Sequence, residues 1–170
     1  MNLLRTSLLA LAMLFFVTSC TKDEETSITS DTEVEYTIDL NLANETDWDM
    51  ANQILALVNE HRASVGLTAI QRDQQYASAY AVDHTQYMIE LEQINHDQFG
   101  ERSNALKSRG AKGVGENVAY GYTTAESLVT AWINSPTHRN VMEGNYTHSG
   151  FGVMKSPEGR YYFTQLFYKK

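Results

Sequence analysis

The chain has 170 residues, 42% hydrophobic and 20% charged, with a formal net charge of −8, enough for one domain with a core and too little for two. A negative balance argues against nucleic acid as a partner, because phosphate binding needs clustered Lys and Arg. The charge is uneven: residues 1–19 carry +1, residues 20–50 set ten acids against Lys22, and residues 51–170 balance eleven acids with eleven bases. A neutral domain on an acidic stalk is therefore expected.

Residues 8–17 form an unbroken apolar run of ten behind Asn2 and Arg5. A membrane-crossing helix needs about 20 apolar residues, so the run fits the centre of a cleavable secretory leader. The leader ends Val17-Thr18-Ser19-Cys20, and Cys20 is the only cysteine in the chain. That ending resembles the lipobox of bacterial lipoproteins. The resemblance implies a signal peptide over 1–19, lipidation of Cys20 (palmitate-type acylation) and a membrane as partner through that lipid. Several acyl chains anchor firmly where one is marginal. With Cys20 acylated no disulfide is available, so the fold must hold by its core.

Directly after comes Thr21-Lys22-Asp23-Glu24-Glu25. It looks like the export signal of surface-exposed lipoproteins in one group of Gram-negative bacteria, implying the cell envelope, the outer membrane and its surface. A plain solvated tether is the alternative. Residues 26–44 stay polar and acidic, too poor in apolar surface to fold. Residues 20–50 are expected as an extended tether and 51–170 as the domain.

Within the domain, Thr46 or Asp47 can cap a helix that runs to about Val65 and stops at Gly66, with Ile54, Leu57, Val58 and His61 on one stripe. Asp73 opens a second helix, with Ala77, Tyr80, Ala81, His84, Met88 and Leu91 at helical spacing. Residues 103–109 suggest a short helix ended by Gly110. Thr123-Thr124-Ala125-Glu126 reads as a capping box before Leu128, Val129, Trp132 and Ile133, with Pro136 ending that helix. One or two further turns are expected over 137–143. The period then changes: residues 151–155, a Ser156-Pro157-Glu158-Gly159 turn and residues 160–168 read as a hairpin. Helices followed by an antiparallel hairpin indicate an α+β or three-layer fold, not a doubly wound sheet.

Three polar segments, expected as irregular, stand out: Ile94-Asn95-His96-Asp97, Gly115-Glu116-Asn117-Val118-Ala119 and Ser135-Pro136-Thr137-His138-Arg139. HExxH, G-x-S-x-G, Walker, dinucleotide and paired-cysteine zinc motifs are all absent. These segments, together with Asn59-Glu60-His61-Arg62, Trp132 and Tyr162-Phe163-Thr164-Gln165-Leu166-Phe167, resemble the CAP superfamily (the SCP domain), in the same order over residues 51–168. The resemblance implies an α-β-α sandwich with a central antiparallel sheet and a cleft lined by two His and two Glu. Matched by position, His96 takes the first family histidine and Glu116 the first glutamate. The second glutamate falls on Ser135 and the second histidine on Tyr162, so half of that set is missing. His138, in the Ser-Pro-x-His-Arg run of the bacterial branch, is the candidate to enter the same cleft.

The expected cleft is thus His96, Glu116, Asn117, Ser135, His138 and Tyr162. Two imidazoles and a carboxylate can hold a divalent ion, such as zinc, calcium or magnesium. They can also move protons as a general acid–base or metal-assisted hydrolase, or form a structural hydrogen-bonded cluster. The ligand expected of a binding module is a small polar molecule, lipid, glycan or peptide. His61 and His84 are expected as packing residues, His148 as a surface residue, and Tyr76, Tyr80 and Tyr87 as core and rim. Arg139 is expected either to pair with an acid or to charge the end of a short turn. Asn117 is expected to fix the Glu116 loop through backbone bonds.

Overall fold

The structure, a computed structural model, describes residues 37–170. The leader, Cys20 and the tether up to residue 36 lie outside the described residues. Residues 37–50, expected as tether, belong instead to the folded unit. A 3₁₀ turn over Leu40–Glu45 buries Ala43, and the Thr46 hydroxyl donates to the Phe151 carbonyl at 2.6 Å. Small and apolar residues inside the acidic stretch make this docking feasible despite its charge.

Helix α1 (Trp48–Ser64) starts at Asp47, whose carboxylate accepts from the Met50 N–H; Gly66 beyond its end has φ +78°, the left-handed backbone that glycine takes without strain. Strand β1 (Gln71–Arg72) follows, then α2 (Tyr76–Glu90), α3 (Phe99–Ser108), β2 (Gly113–Tyr120), α4 (Ala125–Asn134), α5 (Pro136–Met142), β3 (His148–Lys155) and β4 (Tyr161–Lys169). Asp73 does open α2, accepting from the N–H groups of Gln75, Tyr76 and Ala77. The α4 cap is Thr124, bonded to Ser127, one residue later than the capping-box pattern suggested.

The four strands run in the order β1-β3-β4-β2. β3, β4 and β2 are antiparallel, and the short β1 pairs parallel with β3. The segment containing Glu116 and Asn117, expected as irregular, is therefore the outer strand β2.

Alternation along the strands sorts side chains into two layers. Phe151, Val153, Phe163, Phe167 and Ala119 face α1 and α4, packing with Ile54, Val58, Leu128 and Trp132. Leu166, Tyr168, Val118 and Tyr162 face α2 and α3, with Ala77, Tyr80, Ala81, Met88 and Leu106. Each fully buried large apolar side chain contributes about 1.5–3 kcal/mol. The result is the expected α-β-α sandwich. Helix α2 lies so close to β3 that a Cβ at Gly150 would meet the Ala77 backbone, and one at Gly152 the Ala81 carbonyl. Glycine is needed at both positions for that approach.

The Asn59-Glu60-His61-Arg62 run is architectural. Asn59 exchanges two bonds with the Ile70 backbone, and His61 pairs with Glu143 at 2.9 Å. Arg62 is buried among backbone carbonyls. Tyr80 is core, while Tyr76 and Tyr87 form its rim. His148 is not a bare surface residue: it stacks on Tyr168 at 5.1 Å and meets the Thr147 hydroxyl.

Candidate functional site

A cleft of about 360 Å³ opens along the outer strand β2. Its floor includes Val118, Ala119 and Tyr120; one wall is Ile94, Asn95 and His96, and the other is Ala131, Trp132, Ser135 and His138. The cleft combines aromatic and aliphatic surface with two imidazoles, the usual make-up of a ligand site.

The His96 wall is a loop held by three side chains, two from α2 and one from α3. His84 on α2 donates its Nε2–H to the Asn95 carbonyl at 2.9 Å. The Tyr87 hydroxyl donates to the Asp97 carboxylate at 3.0 Å, and Arg102 on α3 donates to the Asp97 carbonyl at 2.7 Å. His84 is thus a packing residue with a defined task, positioning the loop that carries His96.

Glu116 does not line the cleft; it lies behind His96. The Arg102 guanidinium grips its carboxylate, with Nε 2.9 Å from Oε2 and Nη2 2.8 Å from Oε2 and 3.0 Å from Oε1. Glu116 Oε1 also accepts from His96 Nδ1 at 2.8 Å. The Glu116 side chain is 1% exposed and that of His96 54% exposed. This carboxylate holds the His96 Nδ1–H, so that in the neutral ring the lone pair falls on Nε2. Arg102 was not singled out in the sequence. The available signal was Glu116 itself, since a buried carboxylate requires a cationic partner.

Successive residues on β2 point to opposite faces, so Asn117 turns away from Glu116. Its amide donates to the His138 carbonyl at 3.1 Å, tying α5 to the strand rather than fixing a loop at Glu116. The His138 ring stacks on Trp132, with centroids 6.4 Å apart and planes at 24°. Its Nδ1 meets the Ser135 hydroxyl at 2.8 Å. Arg139 takes the second expected role, a basic residue in the last turn of the short helix α5, and it also donates to the Ile133 carbonyl at 2.8 Å, near the end of α4. Tyr162, 3% exposed, packs with Met88 and Val118 and lies beside Tyr120 below the rim, outside the cleft lining.

The structure therefore brings His96, Ser135 and His138 to one cleft and places Glu116, Asn117 and Tyr162 behind it. Among the described residues no three His, Cys, Asp or Glu side chains are arranged to hold a metal ion. Glu116, the third donor expected, is already occupied by Arg102. The residues present do not fit a three-ligand metal centre.

Burial, and then the neighbouring His96, hold the His138 imidazole below its ordinary range. Burial, followed by the Arg102 charge, does the same for His84; Glu116 and the Asn95 bond oppose that shift without reversing it. The unfolded chain takes up protons at these histidines near pH 6.5, while the folded chain resists. Stability should thus fall as the pH drops below about 6.5 and level off once the folded values are passed. Melting curves between about pH 7.5 and about pH 5 test this, and a Tm that does not move across that window would contradict it.

Comparison with known proteins places this geometry in a family. The family model described as "CAP: Cysteine-rich secretory protein family" matches residues 55–167. The chain belongs to the CAP family. It is 35% identical over 125 residues to the uncharacterized membrane protein YlbC of Bacillus subtilis (strain 168), covering 69% of this chain and 34% of that one. With the uncharacterized protein YkwD of the same organism it shares 34% over 109 residues, 61% of this chain and 42% of that one. The chain thus spans between a third and a half of these relatives' lengths. Among solved structures, an outer surface protein from Borrelia burgdorferi superposes with a TM-score of 0.64 at 22% identity, over 72% of this chain and 93% of that one. An extracellular SCP-domain protein from Bacillus anthracis gives 0.57 at 26%, over 74% and 44%. Among the described residues of this CAP domain no helix is long and apolar enough to cross a membrane.

Proposed function

We propose that this CAP domain is a binding module held at the cell envelope by lipid on Cys20, and that its ligand enters the cleft between His96 and His138. The observation that carries the reading is the pairing of two imidazoles in one cleft, each with Nδ1 already engaged by its own neighbour. Neither Nε2 has a partner among the described residues. His96 Nε2 offers a lone pair, while the Trp132, Tyr120 and Tyr122 surfaces suit an apolar or sugar-like face. A polar group flanked by an apolar body, as in a lipid, glycan or peptide, matches that lining. The Cys20 anchor rests on the Val17-Thr18-Ser19-Cys20 ending, and the outer-membrane and surface placement on the acidic run after it.

Thermal shift and calorimetry with zinc, calcium and magnesium salts, N-acetylglucosamine, a fatty acid and short peptides test the cleft directly. One probe class should raise the Tm of the full chain, and His96→Ala and His138→Ala should each abolish the rise while remaining folded. A probe bound equally well by both variants would place the ligand elsewhere. Zinc bound with two-histidine dependence would identify a metal as the occupant despite the missing third donor.

A further inference from the structure

We propose that Ser135 is a nucleophile, activated by His138, that accepts the acyl group of a carboxylic ester bound in the cleft. The Ser135 hydroxyl is 2.8 Å from His138 Nδ1, and both side chains line the cleft. Ser135 occupies the N-cap position of α5, where a serine oxygen ordinarily accepts from a first-turn N–H. It makes no such bond here, and the hydroxyl is turned to the imidazole instead. The base is held in place as a nucleophile's partner should be. Trp132 covers one face of its ring, and Asn117 ties its main chain to the sheet. Burial and His96 favour the neutral imidazole, the form able to take a proton. No carboxylate partners His138 Nε2 among the described residues, so the pair is a dyad. An ester, whose alcohol leaves more readily than an amine, is the substrate class that such a dyad can serve.

In the acylation step Ser135 Oγ bonds to the ester carbonyl carbon as its proton passes to His138 Nδ1. The carbonyl electron pair moves to oxygen, then returns as the carbon–oxygen bond to the alcohol breaks. The alcohol departs with the proton from Nδ1. Water then attacks the Ser135 ester, giving a proton to Nδ1, and the acid leaves as Oγ recovers that proton. This goes beyond the binding reading and fails separately from it, because Ser135→Ala should lose acylation and keep the cleft.

The test is reaction of the full chain with a fluorophosphonate and with p-nitrophenyl acetate, read by intact mass and peptide mapping. One adduct is expected, on Ser135, absent in Ser135→Ala and slowed about 10²-fold or more in a folded His138→Gln variant. No adduct on Ser135, or one whose rate ignores His138, overturns the proposal. A Ser135→Cys variant, made with Cys20→Ala, gives a second readout independent of the ester. Alkylation of the thiol placed there should titrate well below about 8.5, the ordinary thiol value; an ordinary titration overturns the proposal as well.

Discussion

Arg102→Ala is expected to destabilise the domain by about 3–5 kcal/mol, because it leaves a buried carboxylate without its cation. The Glu116 side chain is 1% exposed and keeps only the His96 contact once the guanidinium is gone. The Asp97 carbonyl loses its donor at the same time, so the loop forming the His96 wall loosens. For a fold of this size the loss corresponds to a fall in Tm of about 10–20 °C. Glu116→Ala should cost a similar amount by orphaning Arg102. The paired replacement Arg102→Met with Glu116→Leu should recover most of the loss, since an apolar pair of similar volume carries no desolvation cost. A double-mutant cycle on denaturant melts measures that coupling. Additive losses would show that the pair is not one buried unit.

The second large effect is expected at Arg62, 1% exposed on α1. Its guanidinium donates to three carbonyls, Thr68 at 2.9 Å, Met142 at 2.6 Å and Gly144 at 2.9 Å, with Tyr146 at 3.5 Å beyond them. Among the described residues no carboxylate forms an ion pair with it. Burial lowers its pKa and Glu143 opposes the change. Arg62 thus closes two segments at once, the turn after α1 and the chain leaving α5. Arg62→Met keeps much of the volume and removes every donor, which should cost about 3–5 kcal/mol through buried carbonyls left unpaired. Arg62→Lys should recover little, because a single ammonium cannot reach carbonyls spread around a planar fork. Denaturant melts of both variants decide this, and a lysine variant as stable as the parent would contradict it.

Much of this fold was legible because its helices carry a one-sided apolar period. α1, α2 and α4 could be placed from their stripes, and Asp47, Asp73 and Gly66 from their cap and stop chemistry. The β3–β4 hairpin could be placed from a change of period and a Pro-Glu-Gly turn. β2 was hidden for a physical reason. Both of its faces are buried, one polar residue facing each layer, so Gly-Val-Gly-Glu-Asn-Val-Ala shows neither alternation nor an apolar run. β1, two residues long, has no period to detect. The 3₁₀ turn at Leu40–Glu45 was masked by the charge around it, since composition averages over the small residues that dock.

The site was legible in its parts more than in its arrangement. His96 and His138 both line the cleft. Glu116 was expected to meet them in the cleft. Adjacency on a strand instead sends Glu116 to the His96 side and Asn117 to the His138 side, a division visible only once β2 is known to be a strand. Arg102 and His84, which support the His96 loop, resemble a solvated helix charge and a packing histidine when seen in sequence.

At the centre of the site, Arg102 and Glu116 set His96, with the proton on Nδ1 and the Nε2 lone pair presented to the cleft. A long-range ¹H–¹⁵N spectrum of the histidine side chains at neutral pH reads that state directly. His96 should carry a proton on Nδ1, and Glu116→Gln should disturb that signal while leaving His84, which donates from Nε2, unchanged. A His96 protonated on Nε2 alone, or one indifferent to Glu116→Gln, would contradict the site as described.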